Sequence, residues 1–105
     1  MTTSTLAPVF AALGDDTRWA ILARLGESPA SASALARELP VSRQAIVKHL
    51  EVLRAVGLVE SETRGREVLH RALGGRLNDV ARQLEAIGAA WDARLAAIKR
   101  LAEGG

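Results

Sequence analysis

The chain contains no cysteine, which excludes disulfides, thiolate metal sites and cysteine nucleophiles together. Tyrosine is also absent and phenylalanine occurs once, so there is no row of aromatic platforms on which the bases of a single strand could stack. Histidine occurs only as His49 and His70, on different predicted elements. Soft metals want thiolates or clustered imidazoles, and Asp79, Glu85 and Asp92 read as solvated charges, so no metal site is expected. There is no glycine-rich phosphate loop, no nucleophile with a histidine partner and no paired acids in a setting that would tune them. Hence no catalytic residue, no cofactor and no enzyme activity are expected. The N-terminus MTTSTLAPVF lacks a basic region followed by a sustained apolar run, and no segment approaches the length of a membrane span. A cytoplasmic protein without a membrane partner is the expectation.

What is present is 105 residues, about half of them apolar, enough for one domain over 1–105 and not for a second core. The net charge of +2 says little by its size and more by its placement. Residues 41–57 carry three bases against one acid and so match the excess of the whole chain, whereas residues 1–40 are net acidic by one. Any nucleic-acid contact should therefore depend on where those bases sit.

The same segment has two faces. At about 100° per residue, Ile46, Leu50, Leu53 and Gly57 stack on one side of a helix while Gln44, Lys48 and Glu51 project from the other. Ser42 can cap that helix and leave its first amides facing a phosphate. Gln44 can bond an adenine edge, Arg43 or Lys48 can meet guanine or phosphate, and Val47 can touch a thymine methyl. His49 lies at the margin of the two faces, where it can bond a nearby backbone group or a phosphate. An ordinary amphipathic surface helix would satisfy any one of these residues alone.

Upstream, Leu6, Val9, Phe10 and Leu13 have helical spacing, with Pro8 in the first turn; Asp15 or Asp16 can cap a second helix burying Ile21, Leu22 and Leu25, with Trp19 at the edge of that stripe. ESPASAS reads as turn and caps, and a short third helix ends at Pro40. Two helices joined so closely must cross at a large angle, with Leu35, Leu39, Val41, Ile46 and Leu50 between them, which is a helix-turn-helix over about 31–57. From about 58 to 73 the pattern becomes a two-stranded hairpin, with Val59, Leu69 and Val68 against the helices and Arg64 and Arg66 straddling Gly65 at the tip. A basic tip can reach the adjacent minor groove or backbone, although Glu60, Glu62 and Glu67 offset it. Over about 76–102 the apolar series Leu77, Val80, Leu84, Ile87, Trp91, Leu95, Ile98 and Leu101 exceeds what one small domain can cover, so a second copy is the expected partner.

The order of these pieces resembles the ArsR family of winged helix-turn-helix repressors. ALGDDTRWAIL is similar to that family's N-terminal signature, ALARELPVSRQAIVKHLEVLRAVGLVE to its helix-turn-helix, and TRGREVLHRAL to its wing. The resemblance implies a mainly α fold with a small β-hairpin, and a homodimer joined through its first and last helices. That would put Leu6, Phe10, Leu84, Ile87, Trp91, Leu95 and Ile98 at the interface. It further implies binding to an imperfect palindrome in double-stranded promoter DNA and a block to transcription, with Ser42, Arg43, Gln44, Lys48 and His49 at the reading-helix positions and Arg64 and Arg66 on the wing. Trp19 stands where a basic residue is usual, and the metal-binding residues of the founding members are missing. Two alternatives stay open: a helical protein-interaction module, and a regulator answering to a metal or to a small-molecule effector held between the paired helices.

Overall fold

A computed structural model describes residues 6–104, and of Leu6 only the backbone. In chain order these residues form α1 (Leu6–Leu13), α2 (Asp16–Leu25), β1 (Ala30–Ser31), α3 (Ala32–Glu38), α4 (Arg43–Ala55), β2 (Val59–Arg64), β3 (Glu67–Ala72) and α5 (Gly74–Gly104). The fold is mainly α with a small antiparallel sheet, as the sequence pattern predicts.

Side-chain caps set where the helices begin. Asp15 accepts the Arg18 amide at 3.0 Å, Ser31 the Ala34 amide at 3.1 Å and Ser42 the Ala45 amide at 3.1 Å, each satisfying a donor that the first turn leaves free. The bond from the Arg18 amide holds the Asp15 carboxyl below its usual pKa. Between α3 and α4, Leu39 turns extended (φ −114°, ψ 147°), as the residue before a proline prefers. An ion pair from Arg24 Nε to Glu38 Oε1 at 2.7 Å ties α2 to the far end of α3.

Gly57 does not extend the buried face of α4, contrary to the expectation from spacing. It lies past the helix end at φ 79°, donating to Arg54 O, while Leu58 donates to Leu53 O, both at 3.0 Å. This pair of bonds is a Schellman motif, in which glycine takes the left-handed position and the residues at either end meet as an apolar contact. Leu53 and Leu58 are both fully buried, so the apolar stripe passes from one to the other across the turn.

The hairpin gains a third strand. β1 pairs with β3, Ala30 opposite His70 and Ser31 opposite Leu69, giving the order β1-β3-β2. ESPASAS read as turn and caps because two residues are too few to show alternation. The hairpin register closes with Arg64 opposite Glu67, leaving Gly65 and Arg66 as a two-residue loop; a positive φ (61°) at Gly65 alone matches a type II′ turn. Val59 is buried and Leu69 half-buried, but Val68, also expected to pack inward, stands 44% exposed. Neighbouring strand residues face opposite sides, so seating Leu69 turns Val68 out.

The core gathers Val9, Ile21, Leu22, Leu25, Leu35, Ile46, Leu50, Leu53, Leu58, Val59 and Val80, with Leu39 and Val41 packed at its margin. Helix α5 runs 31 residues, about 46 Å at 1.5 Å per residue, and divides at Val80. Leu77 and Val80 serve the core of their own chain, whereas from Ala81 to Gly104 only Ala97 is even half-buried. The molecule accordingly measures 69 × 26 × 23 Å, with a radius of gyration of 18.5 Å against about 13 Å for a compact chain of this length.

Candidate nucleic-acid interface

Helix α4 presents its polar face to solvent because Ile46, Leu50 and Leu53 fill the core beneath it. Ser42, Arg43, Gln44 and Lys48 are exposed; among the described residues Gln44 and Lys48 have no side-chain hydrogen bond or ion pair, and both remain available to a ligand. Ser42 is used as the cap, and Arg43 Nε donates to Ser33 Oγ at 3.0 Å, which holds the guanidinium beside the start of α3. Val47 is half-buried against the core. His49 is half-buried as well, its Nδ1 3.4 Å from Arg18 Nη1 on α2.

A cleft of about 350 Å³ separates the first turns of α4 from the wing, with Arg43 and Val47 on one wall and Arg66, Glu67, Val68 and His70 on the other. Arg66 is exposed there without an ion pair among the described residues, while Arg64, also exposed, lies 3.8 Å from Glu62. The wing acids are largely taken up by Arg71, which approaches Glu62 at 2.5 Å and Glu60 at 3.8 Å from the facing strand. Exposed pairs of this kind add little stability, but they reduce acid repulsion beside the cleft. Arg54, counted in the basic segment, donates to Ser61 Oγ at 3.4 Å and so braces the root of the wing.

His70 is the buried polar residue of this region, 8% exposed in the central strand, and its Nδ1 lies 2.7 Å from Ser61 Oγ. Burial, and after it the Arg54 charge, push its pKa below the ordinary 6.5. The native state therefore binds fewer protons than the unfolded chain just below pH 6.5, and stability must fall as pH drops through that window. Melting temperature should decline from pH 7 to pH 5, and His70→Asn, which keeps an acceptor near Nδ1 but does not titrate, should flatten that decline. An unchanged slope in the variant would contradict the assignment.

Apart from that cleft, Phe10, Leu13, Trp19, Leu22, Leu77, Val80 and Leu84 surround an apolar groove of about 390 Å³ between α1, α2 and α5. Trp19, 60% exposed, belongs to this groove; a position read as the edge of the α2 stripe, where a basic residue is usual, is part of an apolar surface. Phe10 (44% exposed) lines the groove too, and Leu84, Ile87, Trp91, Leu95 and Ile98 continue from it along α5, each 44% exposed or more. Of the residues expected at a subunit interface, the Leu6 side chain lies outside the described residues.

The chain has no thiolate, the Nδ1 atoms of His49 and His70 already meet Arg18 and Ser61, and no three histidine or acidic side chains converge among the described residues. Among those residues, no helix is long and apolar enough to cross a membrane.

Comparison with known proteins gives a consistent picture. A family model described as a helix-turn-helix domain matches residues 13–62. The HTH-type transcriptional regulator Rv2034 of Mycobacterium tuberculosis is 52% identical over 48 residues, 46% of this chain and 45% of that protein. The chain spans under half the length of the curated relatives it matches. Among solved structures, an ArsR-like transcriptional regulator from Rhodococcus sp. RHA1 is 63% identical with a TM-score of 0.87, covering 95% of this chain and 94% of that one. The homodimeric winged helix-turn-helix DNA-binding domain Mb0332 from Mycobacterium bovis superposes with a TM-score of 0.66 at 27% identity, covering 85% of this chain and 80% of that one.

Proposed function

Because the chain belongs to the ArsR-like helix-turn-helix transcriptional regulators, we propose that residues 1–105 act as one winged helix-turn-helix unit, which dimerises and binds double-stranded promoter DNA in the cytoplasm. The observation that carries this reading is the outward face of α4, where Gln44 and Lys48 are exposed beside a cleft with Arg43 on one wall and Arg66 on the other. A helix on a rigid core with free donors along one face fits the major groove, and the cleft next to it has the charge to take the sugar-phosphate strand. Gln44 and Lys48 read base edges, Ser42 and His49 stand at the phosphates, Val47 meets a thymine methyl, and Arg43, Arg64 and Arg66 hold the backbone. Two copies related by a twofold axis read an imperfect palindrome and exclude polymerase from the promoter.

Subunit pairing is assigned to Phe10 and the α5 stripe; the homodimeric state of the Mycobacterium bovis domain supports it. The apolar groove adjoins this surface and is covered by the second copy. Nothing in the fold favours a metal as the signal.

The test is preferential binding of the purified protein to its own promoter region over random duplex at moderate salt, with affinity falling steeply as salt rises. Gln44→Ala should alter sequence preference at a cost of about 1–3 kcal/mol at one base pair, whereas Arg64→Ala should weaken all sequences alike and reduce the salt slope by about one. A helical protein-interaction module would instead be indifferent to Arg43→Ala and Lys48→Ala.

A further inference from the structure

Arg18 on α2 uses all three nitrogens of its guanidinium. Nε donates to Ala12 O at 2.5 Å, satisfying a carbonyl left free at the end of α1, Nη2 donates to Ala11 O at 3.4 Å, which also accepts from the Gly14 amide, and Nη1 meets His49 Nδ1 at 3.4 Å. The first two bonds fix the plane of the fork, and the third then aims at a residue 31 positions away on the exposed-face helix. Arginine carries donors only and stays protonated in proteins, so His49 Nδ1 must be the acceptor. An imidazole that accepts at Nδ1 keeps its proton at Nε2, and among the described residues no protein group bonds that nitrogen.

We propose that Arg18 is a positioning residue for DNA recognition: it locks His49 in the Nε2–H tautomer, so that α4 offers a fixed donor to a phosphate of the duplex. The inference rests on the DNA-binding reading above. The local reason is geometric. His49 follows Lys48 on the outer face and precedes Leu50 in the core; its ring is half-buried, with Nδ1 at Arg18 on α2 and Nε2 unbonded among the described residues. Without a partner at Nδ1 the ring would sample both tautomers, and in one of them it would present a lone pair to a phosphate oxygen.

The tautomer can be read in the free protein at neutral pH from the nitrogen resonances of 15N-labelled histidine, and duplex affinity can be measured in parallel. Wild type should show His49 protonated at Nε2. Arg18→Met should give a mixture of tautomers and about tenfold weaker DNA binding, and Arg18→Lys, which restores a donor, should recover most of both. His49→Asn keeps an acceptor for Arg18 but has no Nε2–H; it should also cost about tenfold, and adding Arg18→Met to it should cost little more. The assignment is overturned if wild-type His49 carries its proton on Nδ1, or if Arg18→Met leaves the tautomer unchanged. It is equally overturned if His49→Asn binds DNA as wild type does. Failure of the wild type to bind duplex would sink the DNA reading instead, and the tautomer in free protein would still decide the role of Arg18.

Discussion

Leu53→Ala should destabilise the protein by about 2–5 kcal/mol, a large share of the roughly 5–15 kcal/mol that holds a domain folded. Leu53 has no exposed surface and no space to collapse into, since Leu50, Leu58 and the rest of the core surround it. It also makes the apolar contact of the Schellman motif, so truncation loosens the turn that sets the wing against α4 as well as leaving a cavity. Val52, its neighbour on the same helix, is 39% exposed, and Val52→Ala should change stability by only about 0.5 kcal/mol. Urea unfolding at one fixed protein concentration separates the two, because association would otherwise shift both midpoints. Equal shifts would mean that α4 is not seated by its inner face, and the outward presentation of Gln44 and Lys48 would lose its basis.

The contrast between those two leucine and valine positions was legible in the sequence, since a helical period with a serine cap distinguishes inside from outside without any tertiary information. The turn at Gly65 was legible for a similar reason: its residues specify a backbone conformation locally. Other features were not local. Gly57 falls on the same helical spacing as Ile46, Leu50 and Leu53, so spacing alone could not show that the chain had already left the helix. Ala30 and Ser31 form a strand only because His70 and Leu69 offer a free edge. The apolar series of α5 keeps one rhythm from Leu77 to Leu101, and only packing reveals that it serves the chain's own core up to Val80 and is uncovered afterwards.

The site divides in the same way. Exposure of Gln44, Lys48, Arg64 and Arg66 followed from position on a helix face or a hairpin tip. The fixing of Arg43 by Ser33, and the meeting of Arg18 with His49, depend on how separate helices cross. Arg54 added to the basic count of its segment, yet its side chain turns to Ser61. Charge counted along a chain is thus a poor guide to charge delivered at a surface. Trp19 shows the converse: read as a departure from a basic position, it proves to be part of a continuous apolar surface with Phe10 and Leu84.

Trp91→Asp should convert the proposed dimer into a monomer at micromolar concentration and reduce affinity for a palindromic site to that of one half-site. The ring is 56% exposed midway along the stripe, with Arg94 placed 5.4 Å from its centre, and it touches nothing in the core of its own chain. In a twofold interface each substitution acts twice, and a carboxylate in an apolar seam brings a desolvation penalty of several kcal/mol, enough for a hundredfold or greater rise in the dissociation constant. The free end of α5 makes the prediction sharper. A helix in a protein draws most of its stability from packing of its apolar face, which α5 lacks beyond Val80, and Gly88 near its centre costs about 1 kcal/mol more. Order in α5 beyond Val80 should therefore be linked to association. Far-UV circular dichroism should lose helix signal as the wild type is diluted through its dissociation constant, and Trp91→Asp should show the reduced signal at every concentration. The melting of the α1–α4 body and wing should be little changed, because Leu77 and Val80 still anchor the start of α5 in the core. A variant that sediments as a dimer would remove Trp91 from the interface. A wild type whose helicity is independent of dilution while it sediments as a monomer would show that the stripe needs no second copy, and the twofold reading of DNA would fall with it.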